Sequence, residues 1–177
     1  MLRNVVRHKS MAFQYSGPTG DSWISEGASV TFRPGAVYND ASSSAVRSIA
    51  TATGDFYFAC NAYTNVNEVI FGVYDISGDG SFSSTSYIAG LNSITNSYWF
   101  QFYPPVSTYL FKSSSAILTN ISAANGSRLK IERVGTNLSM YADGTLVHNF
   151  ESVTSTLRFV IGLYDATDYV KNISWSI

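Results

Sequence analysis

Residues 128–150 read RLKIERVGTNLSMYADGTLVHNF, and 157–177 continue with LRFVIGLYDATDYVKNISWSI. Apolar and polar residues alternate with a period of two from Arg128, so Leu129 and Ile131 share one strand face and Lys130 and Glu132 the other. Gly135-Thr136 and Asp143-Gly144 break the alternation where tight hairpin connections belong. The stretch therefore reads as three antiparallel strands, Arg128 to Val134, Asn137 to Ala142 and Thr145 to Phe150, with Leu129, Ile131, Leu138 and Met140 turned inward. Leu157 to Tyr164 and Val170 to Ile177 are two further strands.

The same signals recur towards the amino terminus, at Ser29 to Arg33, Val46 to Thr51, Asp55 to Tyr63, Asn67 to Tyr74 and Tyr98 to Tyr103. Pro34-Gly35 and Pro104-Pro105 close the first and last of these runs. No window of a dozen residues sustains the helical period. Many short strands separated by turn signals predict an all-β fold, an antiparallel sandwich of two sheets. Residues 1–25 carry no such pattern and read as an irregular amino-terminal segment. Residues 26–177 then form a single domain, a length sufficient for one core.

Composition narrows the partners. Charged residues make up 13% of the chain, with a net charge of −1 and a pI near 6.0. Nucleic acid and anionic membrane surfaces call for clustered Lys and Arg, and neither partner is expected. No segment has the length of a membrane-inserting helix, and the basic start MLRNVVRHKSMAF lacks the apolar run of a secretory signal. Cys60 is the only cysteine, which excludes an intrachain disulfide and a cysteine-based zinc site.

The carboxy-terminal strands resemble the closing half of concanavalin A-like jelly rolls, the laminin-G and lectin/glucanase superfamily. The residues that carry the resemblance are Arg128, Ile131 and Arg133 in an R-h-x-I-x-R strand, the Asp143-Gly144 turn, the strand ending at Phe150, and Val170, Asn172, Ile173 and Trp175 in the last strand. SPRY domains share a similar strand, turn and strand. Both likenesses imply a β-sandwich, and neither fixes a function, because lectins, enzymes, adhesion modules and viral structural domains share the superfamily.

Sugar-cleaving members of that superfamily place paired carboxylates on one strand as E-x-D-x-E. Here Glu26, Glu68, Glu132 and Glu151 are the only glutamates, and none has a carboxylate two residues away. His8 and His148 sit in no recognisable lyase motif, and no G-x-S-x-G elbow is present. No catalytic residue is expected.

Strand parity points to binding instead. Phe56, Phe58, Cys60 and Ala62 fall on one face, with Tyr57, Asn61 and Tyr63 opposite. Likewise Tyr98, Phe100 and Phe102 oppose Trp99, Gln101 and Tyr103. EVIFGVYDIS at 68–77 echoes RFVIGLYDAT at 158–167, which places Gly72 and Tyr74, like Gly162 and Tyr164, on the less apolar side. In one sheet, Trp99, Gln101, Tyr103, Tyr74, Tyr164, Tyr57, Asn61 and Tyr63 would make an aromatic and amide surface suited to neutral sugars. A covering layer or a neighbouring subunit would leave the same pattern.

Asp75, Ser77, Asp79 and Gly80 match the opening of a calcium loop, but its twelfth position is Ser86 rather than a bidentate Glu. A plain turn is the expectation, with no cofactor; calcium at Asp75 or Asp165, as in laminin-G and lectin relatives, is the alternative. The sequence thus reads as a non-catalytic lectin-like domain for a glycan or cell-surface polysaccharide, extracellular or on a virion or phage surface. The rival is an assembly module whose aromatic face contacts another subunit or a virion neighbour.

Overall fold

The computed structural model describes residues 23–25, 30–40, 44–65, 67–81, 87–104 and 107–177. In chain order the strands are β1 (Trp23–Ser25), β2 (Val30–Arg33), β3 (Ala36–Asn39), β4 (Ser44–Ala52), β5 (Phe56–Tyr63) and β6 (Val69–Asp75). A 3-10 turn over Ile76–Ser81 and helix α1 (Tyr87–Ser93) follow. The chain continues with β7 (Ser97–Tyr103), β8 (Ser107–Lys112), β9 (Ser115–Ile121), β10 (Arg128–Val134), β11 (Asn137–Ala142), β12 (Thr145–Phe150), β13 (Leu157–Leu163) and β14 (Tyr169–Ser176).

These strands form two antiparallel seven-stranded sheets. Sheet A runs β1-β4-β13-β6-β7-β8-β9 and sheet B runs β12-β11-β10-β5-β14-β3-β2. The expected all-β, two-sheet sandwich is therefore the observed one. The three hairpin strands from Arg128 have the bounds that the alternation gave. Leu129, Ile131, Leu138 and Met140 are wholly buried between the sheets. Phe58 of sheet B stacks between Phe71 and Phe159 of sheet A, with centroids 4.4 and 4.5 Å away, so aromatic contacts join the layers at the middle of the core.

Arg133 joins them at one end. Its guanidinium, 1% exposed, donates to the carbonyls of Gly54 (2.8 Å), Ser155 (2.7 Å) and Ala52 (3.0 Å). A strand of sheet B thereby holds the end of β4 and the approach to β13, both in sheet A. The two arginines of the R-h-x-I-x-R pattern lie at opposite parity, so Arg128 points out and Arg133 points in.

Some expectations need correction. Trp23–Ser25 is not irregular: it pairs with Val46–Ser48 as β1, and Trp23 enters the core. Residues 1–22, with His8, lie outside the described residues, as do Glu26 and Ser86. Strands β3, β8 and β9 were not expected. Strand β3 is a four-residue return after Pro34-Gly35, where Gly35 takes φ +68°. The other two are joined at Ser113-Ser114, with β9 at the edge of sheet A and β8 beside it; Tyr109 and Phe111 on the outward face of β8, and the consecutive Ala116, Ile117 and Leu118 of β9, mask the alternation.

Candidate functional site

The parity assigned to each strand is correct, but the strands lie in different sheets. Trp99, Gln101, Tyr103 and Tyr74 belong to sheet A; Tyr57, Asn61 and Tyr63 belong to sheet B, on the far side of the molecule. The eight residues therefore do not form one surface. Tyr164, just beyond β13 and 46% exposed, continues the outward parity of sheet A, its amide donating to the Glu68 carbonyl at 3.3 Å.

Nor are all of the sheet A residues open, although Gln101 and Tyr103 are partly exposed. Trp99 is 1% exposed and Tyr74 wholly buried, because α1 and the segment leading from it lie over them. Leu91 and Ile94 join Ala45, Ile70, Tyr74, Trp99 and Val160 in a second apolar cluster outside the sheet. Trp99 stacks on Phe111 at 4.4 Å with planes 9° apart. The helix is short, and carbonyls at and just past its end meet hydroxyls of β7 and the β8–β9 turn: the Ser97 hydroxyl lies 2.6 Å from the Leu91 carbonyl and 3.1 Å from that of Ile94, and the Ser113 hydroxyl 2.7 Å from Ile94 and 2.6 Å from Thr95. The expectation that Trp99 and Tyr74 line an exposed face is overturned. Gln101, half-buried, donates to the Glu68 carboxylate, whose pKa burial pushes up and that bond pulls back.

The Asp75 to Asp79 loop is a 3-10 turn whose carboxylates turn to different partners. Asp75 accepts from the Ser77 amide at 2.9 Å. Asp79 pairs with Arg47 at 3.2 Å and Arg158 at 3.3 Å, and accepts from the Tyr74 hydroxyl at 2.8 Å. That charge is thus committed to two guanidinium groups. Among the described residues no three His, Cys, Asp or Glu side chains are grouped to hold a metal ion. Asp165 accepts from the Asn67 amide at 2.9 Å, while Asp168, 1% exposed, anchors the turn after β13 by accepting from the backbone amides of Tyr164 (3.0 Å) and Asp165 (2.7 Å).

Two regions remain open. The first is a cleft of about 590 Å³ between the β5–β6 loop, the β7–β8 turn and the β9–β10 loop. Thr64, Asn65, Ser107, Thr108, Asn120 and Asn125 supply its polar lining, with Pro104 and Ile121 apolar. Thr108 points between the sheets from β8, and its hydroxyl is buried without a hydrogen-bond partner. Asn120 takes φ +60° and is held by Ser107 at 3.0 Å, while Asn125 accepts from the Thr64 amide at 3.0 Å. These loops escaped the sequence reading because isolated Asn, Ser and Thr residues in turns have no periodicity to detect.

The second is the outer face of sheet B, where Tyr57, Asn61 and Tyr63 are half-exposed. Tyr63 stacks on Tyr169 (4.7 Å, 12°), which stacks on Tyr38 (5.2 Å, 22°). Arg33 lies over Tyr38 at 4.7 Å, and Lys171 lies 4.8 Å from Tyr169 and 5.7 Å from Tyr63. Beside this row Arg128 donates to the Asn172 carbonyl (2.5 Å), Ser174 Oγ (2.7 Å) and Asn61 Oδ1 (3.3 Å). The bulge in β14 that aims Asn172 into this group puts it at φ +51°. The β9–β10 loop adjoins both regions, since Asn61 donates to the Gly126 carbonyl at 2.8 Å.

Comparison with solved structures places this architecture. Carbohydrate-binding module CBM66 from Bacillus subtilis is 16% identical, with 88% of this chain and 96% of that chain covered and a TM-score of 0.56. The carbohydrate recognition domain of Emp46p is 10% identical over 88% of each chain, with a TM-score of 0.63. A Bacillus subtilis protein of unknown function with a galectin-like fold is 12% identical over 93% of this chain and 94% of that one, also at 0.63. The chain has the concanavalin A-like jelly-roll fold. SPRY domains match on similar terms, so this jelly roll by itself specifies no ligand. No family model and no curated protein matches the sequence. No helix among the described residues of the jelly roll is long and apolar enough to cross a membrane.

Proposed function

We propose that this jelly roll is a non-catalytic glycan-binding domain whose saccharide sits in the end cleft, serving as an attachment module outside the cell or on a virus or phage surface. The observation that carries the reading is the cleft lining: the hydroxyl and amide groups of Asn65, Ser107, Asn120 and Asn125, without a charge. Sugar hydroxyls donate and accept at once, which suits Asn, Ser and Thr, and Pro104 and Ile121 offer apolar contact to ring C–H groups. No carboxylate or histidine is among the described lining residues, which supports binding rather than hydrolysis. Two of the compared structures are named for carbohydrate recognition. The attachment role draws on the Ser-, Thr-, Asn- and Tyr-rich, charge-poor composition. An assembly contact through the aromatic face of sheet A has lost Trp99 and Tyr74 to the chain's own helix.

The test is a glycan array followed by calorimetry with the best ligand on wild type and Asn65→Ala, a change that deletes an exposed amide of the lining. Binding should weaken about tenfold, the worth of one hydrogen bond. An array without a ligand, or wild-type affinity in both Asn65→Ala and Ser107→Ala, sinks the reading.

A further inference from the structure

We infer that the outer face of sheet B is a docking surface for a carboxylate-bearing polysaccharide. The choice of a polysaccharide rests on the reading of the domain as glycan-binding; the charge requirement rests on this face alone. Arg33, Arg128, Lys130 and Lys171 all project from it, in a protein whose net charge is −1. Glu132 is the only acidic residue in the strands of sheet B, and it is held by Lys130 at 3.0 Å. Three cations are left with neutral partners among the described residues. Lys171 and Arg33 lie against tyrosine rings, and Arg128 bonds a carbonyl, an amide oxygen and a hydroxyl. The apolar layer that closes sheet A has no counterpart among the described residues over sheet B.

Donor geometry specifies the anion. Arg128 commits both Nη1 protons and one Nη2 proton, which leaves Nε–H and the second Nη2–H for a carboxylate. The tyrosines decide between polymer classes. Tyr38, Tyr169 and Tyr63 stack on one another in series, with Arg33 against Tyr38 and the Gly126 backbone beside Tyr63. Their ring faces are therefore occupied, so nucleotide bases find no platform there. Their edges, with Asn172 and Ser174, suit a polymer that alternates acid groups with hydroxyls.

The probes are hexagalacturonate, its fully methyl-esterified form and a hexathymidylate oligonucleotide, titrated calorimetrically at low and high salt. Hexagalacturonate should bind at least tenfold tighter than the ester and weaken as salt screens the charges. Arg128→Gln and Lys171→Gln should each weaken it several-fold; Lys171 touches only ring surfaces, so its variant tests the face even if Arg128→Gln misfolds. Lys112→Gln, an equal loss of charge on sheet A, should leave binding unchanged. Equal affinity for acid and ester overturns the charge requirement and leaves the cleft reading standing, whereas failure of the cleft shows in the Asn65→Ala titration. Absence of hexagalacturonate binding, wild-type affinity in both face variants, or equally tight oligonucleotide binding overturns the inference.

Discussion

Trp99 stands directly across the β6–β7 ladder from Gly72, and a Cβ on that glycine would collide with the Cβ of Trp99. The glycine in the first copy of the G-x-Y-D echo therefore makes room for a tryptophan of its own sheet. The two copies are themselves adjacent: Gly72 pairs with Val160 and Ile70 with Gly162 across the β6–β13 ladder.

Gly72→Ala should cost about 1–3 kcal/mol, because the atoms in the way are the Trp99 Cβ and the Tyr98 carbonyl, which cannot rotate aside. Trp99→Ala should cost about 3–5 kcal/mol by opening a cavity beneath α1. Urea denaturation followed by circular dichroism reads both. A Trp99→Ala protein of unchanged stability would mean that the helix does not seal this face.

Arg133 should be the most sensitive charged residue among those described. Arg133→Met removes the donor to the carbonyls of Ala52, Gly54 and Ser155, the first of them buried, and should lose about 3 kcal/mol or more. Arg133→Lys should recover only part of the loss, since an ammonium cannot span the positions that a planar fork reaches. A loss within about 0.5 kcal/mol of a typical surface substitution would refute the clasp between the sheets.

Burial raises the Asp168 carboxyl above the ordinary aspartate range. The folded chain therefore holds a proton that the unfolded chain has already released, and stability from this group is lost as pH rises through the raised value. Asp168→Asn keeps an acceptor for the Tyr164 and Asp165 amides without the charge. Its stability relative to wild type should climb as pH rises above the ordinary aspartate range and level off below it. Melting temperatures measured from below that range to above it check this; a difference that does not move with pH, or that moves the other way, removes Asp168 as the source.

Much of the fold was legible in the sequence because hairpin strands advertise themselves. From Arg128 to Phe150 the inward positions, the turns and the bounds all follow from alternation and two dipeptides. Sheet membership was not legible. Strands β5 and β7 have the same parity pattern, and only long-range pairing assigns one to sheet B and the other to sheet A. Helix α1 escaped for a different reason: its seven residues carry one apolar repeat, Ile88 and Leu91, too short to register as a period. The chosen site residues failed as a group through these two omissions, although Tyr57, Asn61 and Tyr63 do lie on an open surface.

The segment 76–96 connects strands that already sit side by side, with Tyr74 opposite Ser97. A hairpin turn could join them directly, so the helix answers no demand of connectivity. Sheet A holds a preassembled floor of Trp99, Tyr74 and Phe111 beneath a removable cover. A shortened connection would turn that floor outward without altering a strand, so loop length alone sets whether this aromatic patch is core or surface.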